Sequence, residues 1–198
     1  PAVRAQESRL VGRLPDATRT QVEGILEAAR AAGLPTEPLV DRVLEGAAKR
    51  APADRIMAAI TRLRDELRVT REAFGETATT AELTAGASAL RAGATRQDLA
   101  RLHSLRPGQK LTVAAGVLAD LVAAGVPADT GIAAVLALAP NARDADYVAF
   151  RRNVERDIAL GASPAASIGA RLLAAADFTE AMNSVPGSTN SPLRKRKP

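Results

Sequence analysis

The stretch Leu90-Arg91-Ala92-Gly93-Ala94-Thr95-Arg96-Gln97-Asp98-Leu99 carries the reading of the whole fold. Leu83, Ala87 and Leu90 recur at helical spacing and stop at a glycine, which enters the left-handed conformation freely and so closes a helix. One small residue later Thr95 opens a new run, with Asp98 at capping-box spacing and Leu99, Leu102 and Leu105 behind it. The same punctuation recurs outward in both directions. Val22, Ile25, Leu26 and Ala29 lead into Gly33, and Leu34-Pro35-Thr36 restarts the chain with Thr36 as the expected N-cap. Val117, Leu118, Leu121 and Val122 lead into Gly125, followed by Val126-Pro127 and the stripe Ile132, Val135, Leu136. Tyr147, Val148, Val154 and Ile158 lead into Gly161, followed by Ser163-Pro164, where Ser163 reads as an N-cap ahead of Ile168, Leu172 and Leu173.

These turn glycines, Gly33, Gly93, Gly125 and Gly161, lie 60, 32 and 36 residues apart. The last two intervals suit helix-pair units, and the first is longer because Ile56, Ile60, Leu63 and Leu67 mark an extra long helix running to about Phe74. A single helix pair cannot bury its apolar face alone, so neighbouring pairs must stack. The expected fold is all-α: an irregular array of about nine helices in stacked antiparallel hairpins, helical-repeat-like or an orthogonal bundle. Residues 1–14 show no sustained period and read as a loose lead-in, 15–182 as the helical domain with a candidate hinge at the Gly/Thr-rich break 75–80, and 183–198 as a disordered basic tail.

Composition supports helices and narrows the function. Of the 198 residues 46% are hydrophobic, enough for a core, but only 2% are aromatic, so close packing of small side chains must replace large anchors. Alanine, the best helix former, dominates the apolar fraction. The net charge of +5 looks like that of a nucleic-acid binder until it is located: Arg194, Lys195, Arg196 and Lys197 supply four of the excess positives, leaving a body at +1. Those four residues, with Arg96, Arg101 and Arg106 on the one helix able to present basic side chains to a groove, are the candidate contacts for an anion or nucleic acid.

Most catalytic chemistry has no residues to run on. Cysteine is absent and His103 is the only histidine, which removes thiolate catalysis, Cys-ligated zinc and His-pair metal sites. Gly86-Ala87-Ser88 and Gly161-Ala162-Ser163 lack the second glycine of a nucleophile elbow. The close carboxylate pairs Asp65/Glu66, Asp144/Asp146 and Glu155/Asp157 would serve an enzyme only if they converged in a cleft. Helix-dipole complementation for Asp144/Asp146, and a wet face shared with Arg151, Arg152 and Arg156 for Glu155/Asp157, explain them more simply.

The run Ala31-Ala32-Gly33-Leu34-Pro35-Thr36-Glu37-Pro38-Leu39-Val40-Asp41-Arg42-Val43-Leu44-Glu45-Gly46, with Val126-Pro127-Ala128, resembles stretches in uncharacterised exported proteins of GC-rich bacteria. The resemblance implies bacterial origin and export, in keeping with a strong preference for Arg over Lys, and supplies no mechanism. The chain starts at Pro1 without an initiator Met, which fits either a removed signal peptide or a trimmed chain; with the resemblance, a removed signal peptide and a periplasmic or secreted location are expected, the cytoplasm being the alternative. Asp120, Pro127 and Asp129 interrupt the most apolar stretch, so no transmembrane segment is expected. The functional expectation is a non-enzymatic interaction or scaffold protein with no cofactor and no metal. A weak nucleic-acid or anionic-surface binder acting through the tail is the alternative, and a carboxylate/metal enzyme stands third.

Overall fold

The computed structural model describes residues 9–183, and side chains from 9 to 175. Among the described residues the chain is all-α, with nine helices: α1 Asp16–Ala31, α2 Glu37–Ala48, α3 Ala53–Phe74, α4 Thr80–Arg91, α5 Arg96–Leu105, α6 Thr112–Ala123, α7 Ala128–Leu138, α8 Asp144–Ala159 and α9 Pro164–Asn183. Residues 1–8 and the basic segment Arg194 to Lys197 lie outside the described residues.

All four turn glycines have positive φ, from 69° at Gly33 to 112° at Gly93. Each turn carries the same two crossed bonds. At the first, the Gly33 N–H donates to Arg30 O and the Leu34 N–H reaches back to Ala29 O, which satisfies two carbonyls that the helix end leaves open. Leu34, Ala94 and Val126, the residues after three of these glycines, are buried, so each turn is also pinned by an apolar contact. A fifth turn of this kind escapes the glycine pattern. Arg50 holds φ at 53°, its N–H donates to Ala47 O, and the Ala51 N–H donates to Gly46 O. A side chain in this conformation is strained by about 1 kcal/mol, and glycine's larger unfolded-state entropy offsets part of the gain from relieving it. Arg50→Gly should therefore stabilise the protein by about 0.5 kcal/mol. A urea midpoint that falls instead would refute the assignment of strain.

The caps divide by side chain. Thr95 and Asp98 form the expected capping box, and Ser163 Oγ accepts the Ala166 N–H at 3.3 Å. Thr36 caps α2 through its carbonyl, which receives the Leu39 and Val40 N–H groups, and makes no side-chain cap bond. Thr79 and Glu82 form a second capping box at the start of α4.

Pairing differs from turn to turn. Helices α6 and α7 pack side by side across Gly125, and α8 and α9 do so across Gly161. At Gly33 and Gly93 the chain instead turns a corner: α1, α2, α4 and α5 all pack on α3, the 22-residue rod of the first half. In the second half α6 takes that role for α4, α7 and α8. Two apolar cores result. Leu26, Leu39, Val43, Ile60, Leu67 and Leu83 belong to the first, and Leu99, Leu118, Leu121, Tyr147, Phe150 and Val154 to the second. The two cores interlock on either side of residues 75–80. The last turn of α3, with Ala73 and Phe74, already lies in the second core, whereas Leu83 and Ala87 of α4 return to the first. The lead-in is docked from residue 9 onward: Leu10 is fully buried in the first core, and Arg9 bonds Glu37 and Asp41 of α2. One leucine filling one hole leaves no periodicity to detect.

Candidate interaction surface

The structure separates the basic candidates. Arg96 and Arg101 are exposed on α5, but residues five apart stand about 140° from each other around a helix, so they share no face. Arg106, grouped with them from sequence, is corrected by the structure: it is 1% exposed and unavailable to an external anion. Its guanidinium donates to Ala142 O at 2.5 Å and to Asp144 Oδ1 at 3.0 Å, and sits 5.1 Å above the Tyr147 ring. It thereby bonds the start of α8 to the end of α5. Its Nε has no hydrogen-bond partner, which marks the site as a specific but costly way to join two elements.

Tyr147 is the chain's single tyrosine and fills the space under this cation. Its hydroxyl donates to Val135 O at 3.0 Å, and burial pushes its pKa from 10.0 up to about 12, against the opposing pull of Arg106. The sign follows from the raised folded pKa: stability from keeping the phenol neutral is complete below pH 10 and is lost as pH rises toward 12. Phenolate absorbance should therefore appear only near pH 12, or together with unfolding. Titration at the ordinary value in folded protein would contradict the burial.

The carboxylates are committed to structural partners. Asp65 pairs with Arg64 at 2.8 Å, and Glu66 with Arg91 of α4. Asp146 accepts the Arg143 N–H at 2.8 Å, while Asp144 holds Arg106. Glu155 lies 3.5 Å from Arg151. Asp157 takes Arg171 of α9 in a two-pronged contact, both arms 2.7 Å, so it stitches two helices where a wet face was expected. That bond, chiefly, holds the Asp157 carboxyl below the usual carboxylate range. Among the described residues no three acids or histidines come together as a metal site. His103 is exposed on α5, its ring edge toward Phe74 and its Nδ1 3.3 Å from Ala73 O.

Beside His103 a polar pocket of about 230 Å³ includes Glu82, Lys110 and Leu111. Glu82 ties two chain segments here. One carboxylate oxygen accepts the Thr79 N–H and hydroxyl at 2.9 and 2.7 Å, and the other accepts the Leu111 N–H at 3.1 Å. Partial burial works to raise its pKa, but the bonds from Thr79 and Leu111, with Lys110 nearby, outweigh it and hold the group below 4.5. A depressed carboxylate stabilises above its unfolded value, and that share is lost as pH falls through the lower folded value. Glu82→Gln should therefore be less stable than the parent at neutral pH and lose less on acidification. Parallel stability curves for the two proteins below pH 5 would count against this assignment.

Two larger grooves flank α3. Between α2 and α4, an opening of about 450 Å³ has Asp41, Arg42 and Glu45 on one wall, Thr80, Thr84 and Ser88 on the other, and Leu63 at its floor. Its charges are internally answered: Arg9 takes Asp41, and Arg42 and Lys49 take Glu45, whose pKa is lowered mainly by the bond from Lys49.

The second groove, about 680 Å³, runs along α3 past the end of α4. Met57, Ala58, Val69, Leu90 and Ala94 make it mostly apolar, Arg62 stands at its edge, and the two carboxylates that also line it, Asp65 and Glu66, are held by Arg64 and Arg91. Arg55 lies two turns before Arg62 on the same side of α3. Neither arginine has a carboxylate partner among the described residues, whereas Arg64, Arg68 and Arg71 of the same helix are all paired. No sequence motif marks this groove, because its walls come from residues more than twenty positions apart.

No described helix is long and apolar enough to cross a membrane. Comparison of the chain with protein-family models, with curated proteins and with solved structures finds no match in any of the three.

Proposed function

We propose that this chain is a non-enzymatic helical scaffold, and that the groove along α3 receives an amphipathic helix of a partner protein. The observation that carries the reading is a mostly apolar groove whose own carboxylates, Asp65 and Glu66, are already paired, while Arg62 at its edge and Arg55 two turns before it have no acid partner among the described residues. A helix of about three turns can lay apolar residues at i, i+3, i+4 and i+7 into such a groove. Unpaired Arg55 and Arg62 favour carboxylates along its flank, which adds orientation and salt sensitivity. Export to the periplasm or exterior belongs to the same reading, supported by the resemblance to exported proteins of GC-rich bacteria, while the absence of cysteine permits it without requiring it.

The test uses two labelled model peptides, both with leucines at i, i+3, i+4 and i+7, one flanked by Glu and one by Lys. Fluorescence anisotropy should show the Glu-flanked peptide binding at least tenfold more tightly. Arg62→Glu should remove that preference, and Ala58→Glu, at an exposed position, should weaken binding of the peptide without changing the melting temperature. Equal affinity for both peptides, or binding indifferent to both substitutions, overturns the proposal.

A further inference from the structure

The polar pocket beside His103 joins four segments that are well separated in sequence: the loop after α3, the first turn of α4, helix α5 and the α5–α6 loop. Its α5–α6 wall is held at both ends. Arg106, bonded to Ala142 O and Asp144, anchors the start, and buried Leu111, whose N–H donates to Glu82, anchors the finish. Between them Arg106-Pro107-Gly108-Gln109 makes a turn in which Gly108 takes φ of 70° and the Gln109 N–H donates to Arg106 O at 3.1 Å. Gln109 and Lys110 thereby join Glu82 and His103 around one opening, with Phe74 also among its walls.

The charges here are opposed but not joined. Lys49, the other described lysine, sits on Glu45 at 2.7 Å. Lys110 lies near enough to Glu82 to help lower its pKa, yet it makes no ion pair or hydrogen bond of its own among the described residues. A carboxylate has about four lone-pair sites, and on Glu82 the Thr79 N–H, the Thr79 hydroxyl and the Leu111 N–H take three of them. One is left open. His103 adds a second acceptor: its Nδ1 faces Ala73 O, and a carbonyl only accepts, so that nitrogen carries the proton and Nε2 of the neutral ring keeps its lone pair. The Thr77 hydroxyl and the Gln109 amide also line the pocket and have no hydrogen-bond partner among the described residues.

From this we infer that the pocket binds a small free α-amino acid in its zwitterionic form. The ligand's carboxylate meets Lys110 and the Gln109 amide, and its ammonium meets the open site on Glu82 and His103 Nε2, so each end finds charge-assisted hydrogen bonds. A zwitterion suits a pocket that holds one cation and one carboxylate. A simple anion would face Glu82 with nothing to answer it, and a simple cation would face Lys110. At about 30 Å³ per water, 230 Å³ is room for roughly seven or eight waters, which selects amino acids of the size of alanine or serine. The pocket shares no lining residue with the groove along α3, so this site stands or falls apart from the scaffold reading.

Titration of the full, isotope-labelled chain with L-alanine, followed by NMR, tests this. The amide resonances of Thr77, Gly108 and Lys110 should shift and saturate with a Kd at or below about 1 mM. N-acetyl-L-alanine, which lacks the ammonium, and L-alaninamide, which lacks the carboxylate, should each bind at least tenfold more weakly. Lys110→Ala, at an exposed position, should weaken L-alanine binding at least tenfold with the melting temperature unchanged, and His103→Ala should weaken it as well. Arg96→Ala, on the same helix as His103 but outside the pocket, should leave the affinity as it is. No saturable shift by about 20 mM, equal binding of either analogue, or an affinity that either pocket substitution leaves intact overturns the inference.

Discussion

Gly86→Ala should lower stability by about 2 kcal/mol, even though alanine is the better helix former by about 1 kcal/mol. Gly86 lies mid-helix in α4 where that helix crosses α3, and a Cβ there would stand 2.3 Å from Thr70 Cγ2 and 3.1 Å from Phe74 Cε2. Thr70 cannot turn aside freely. It is fully buried, and its hydroxyl donates to Glu66 O at 2.8 Å, which sets its rotamer. The added methyl must therefore push two helices apart, and the overpacking outweighs the gain in propensity. Thr70→Ala removes the obstructing methyl at a cost of about 1 kcal/mol as a cavity. In the double variant the two changes compensate, so their effects should fail to add by more than 1 kcal/mol. Urea denaturation of the four proteins supplies the measurement. An additive cycle, or a neutral Gly86→Ala, would show that the helices are not in this contact.

Arg106→Ala should cost about 3 kcal/mol, the second large effect. The substitution empties a buried volume, strips Ala142 O of its donor and uncovers the Tyr147 ring. The loss stays below that of a wholly buried ion pair because the Asp144 side chain is 46% exposed and returns to water. Arg106→Met separates packing from charge. Methionine refills most of the space and removes the desolvation cost of a guanidinium whose Nε is unpartnered, so it should recover more than half of the loss. Removing the cation also removes its pull on Tyr147, whose phenol should become still harder to ionise in Arg106→Met. A methionine variant no more stable than the alanine variant would mean that the charge, not the volume, holds α5 to α8.

Both positions show where sequence reading stops. Gly86 lies in Gly86-Ala87-Ser88, a stretch that lacks the second glycine of a nucleophile elbow. Its actual meaning, two backbones brought close, depends on Thr70 sixteen residues earlier. Arg106 looks like its neighbours Arg96 and Arg101 in a basic run, and only its partners at Ala142, Asp144 and Tyr147 distinguish it. The capping box at Thr95 and the Ser163 cap were legible because each is closed within three residues. The left-handed turn at Arg50 was not, because glycine is the usual signal and a strained arginine carries none.

Residue order alone makes this protein helical, sets where most of its helices start and stop, and leaves thiol, paired-histidine and nucleophile-elbow chemistry without residues to use. Those properties rest on interactions between residues one to five positions apart, and such spacings are written in the chain. Tertiary packing made α3 and α6 the axes of two cores, turned corners at Gly33 and Gly93, drew Arg106 inside, and left a groove open along α3. Each depends on which apolar stripes meet. In an alanine-rich chain with almost no aromatic anchors many pairings of stripes look alike, and the choice among them falls to packing between residues far apart in sequence.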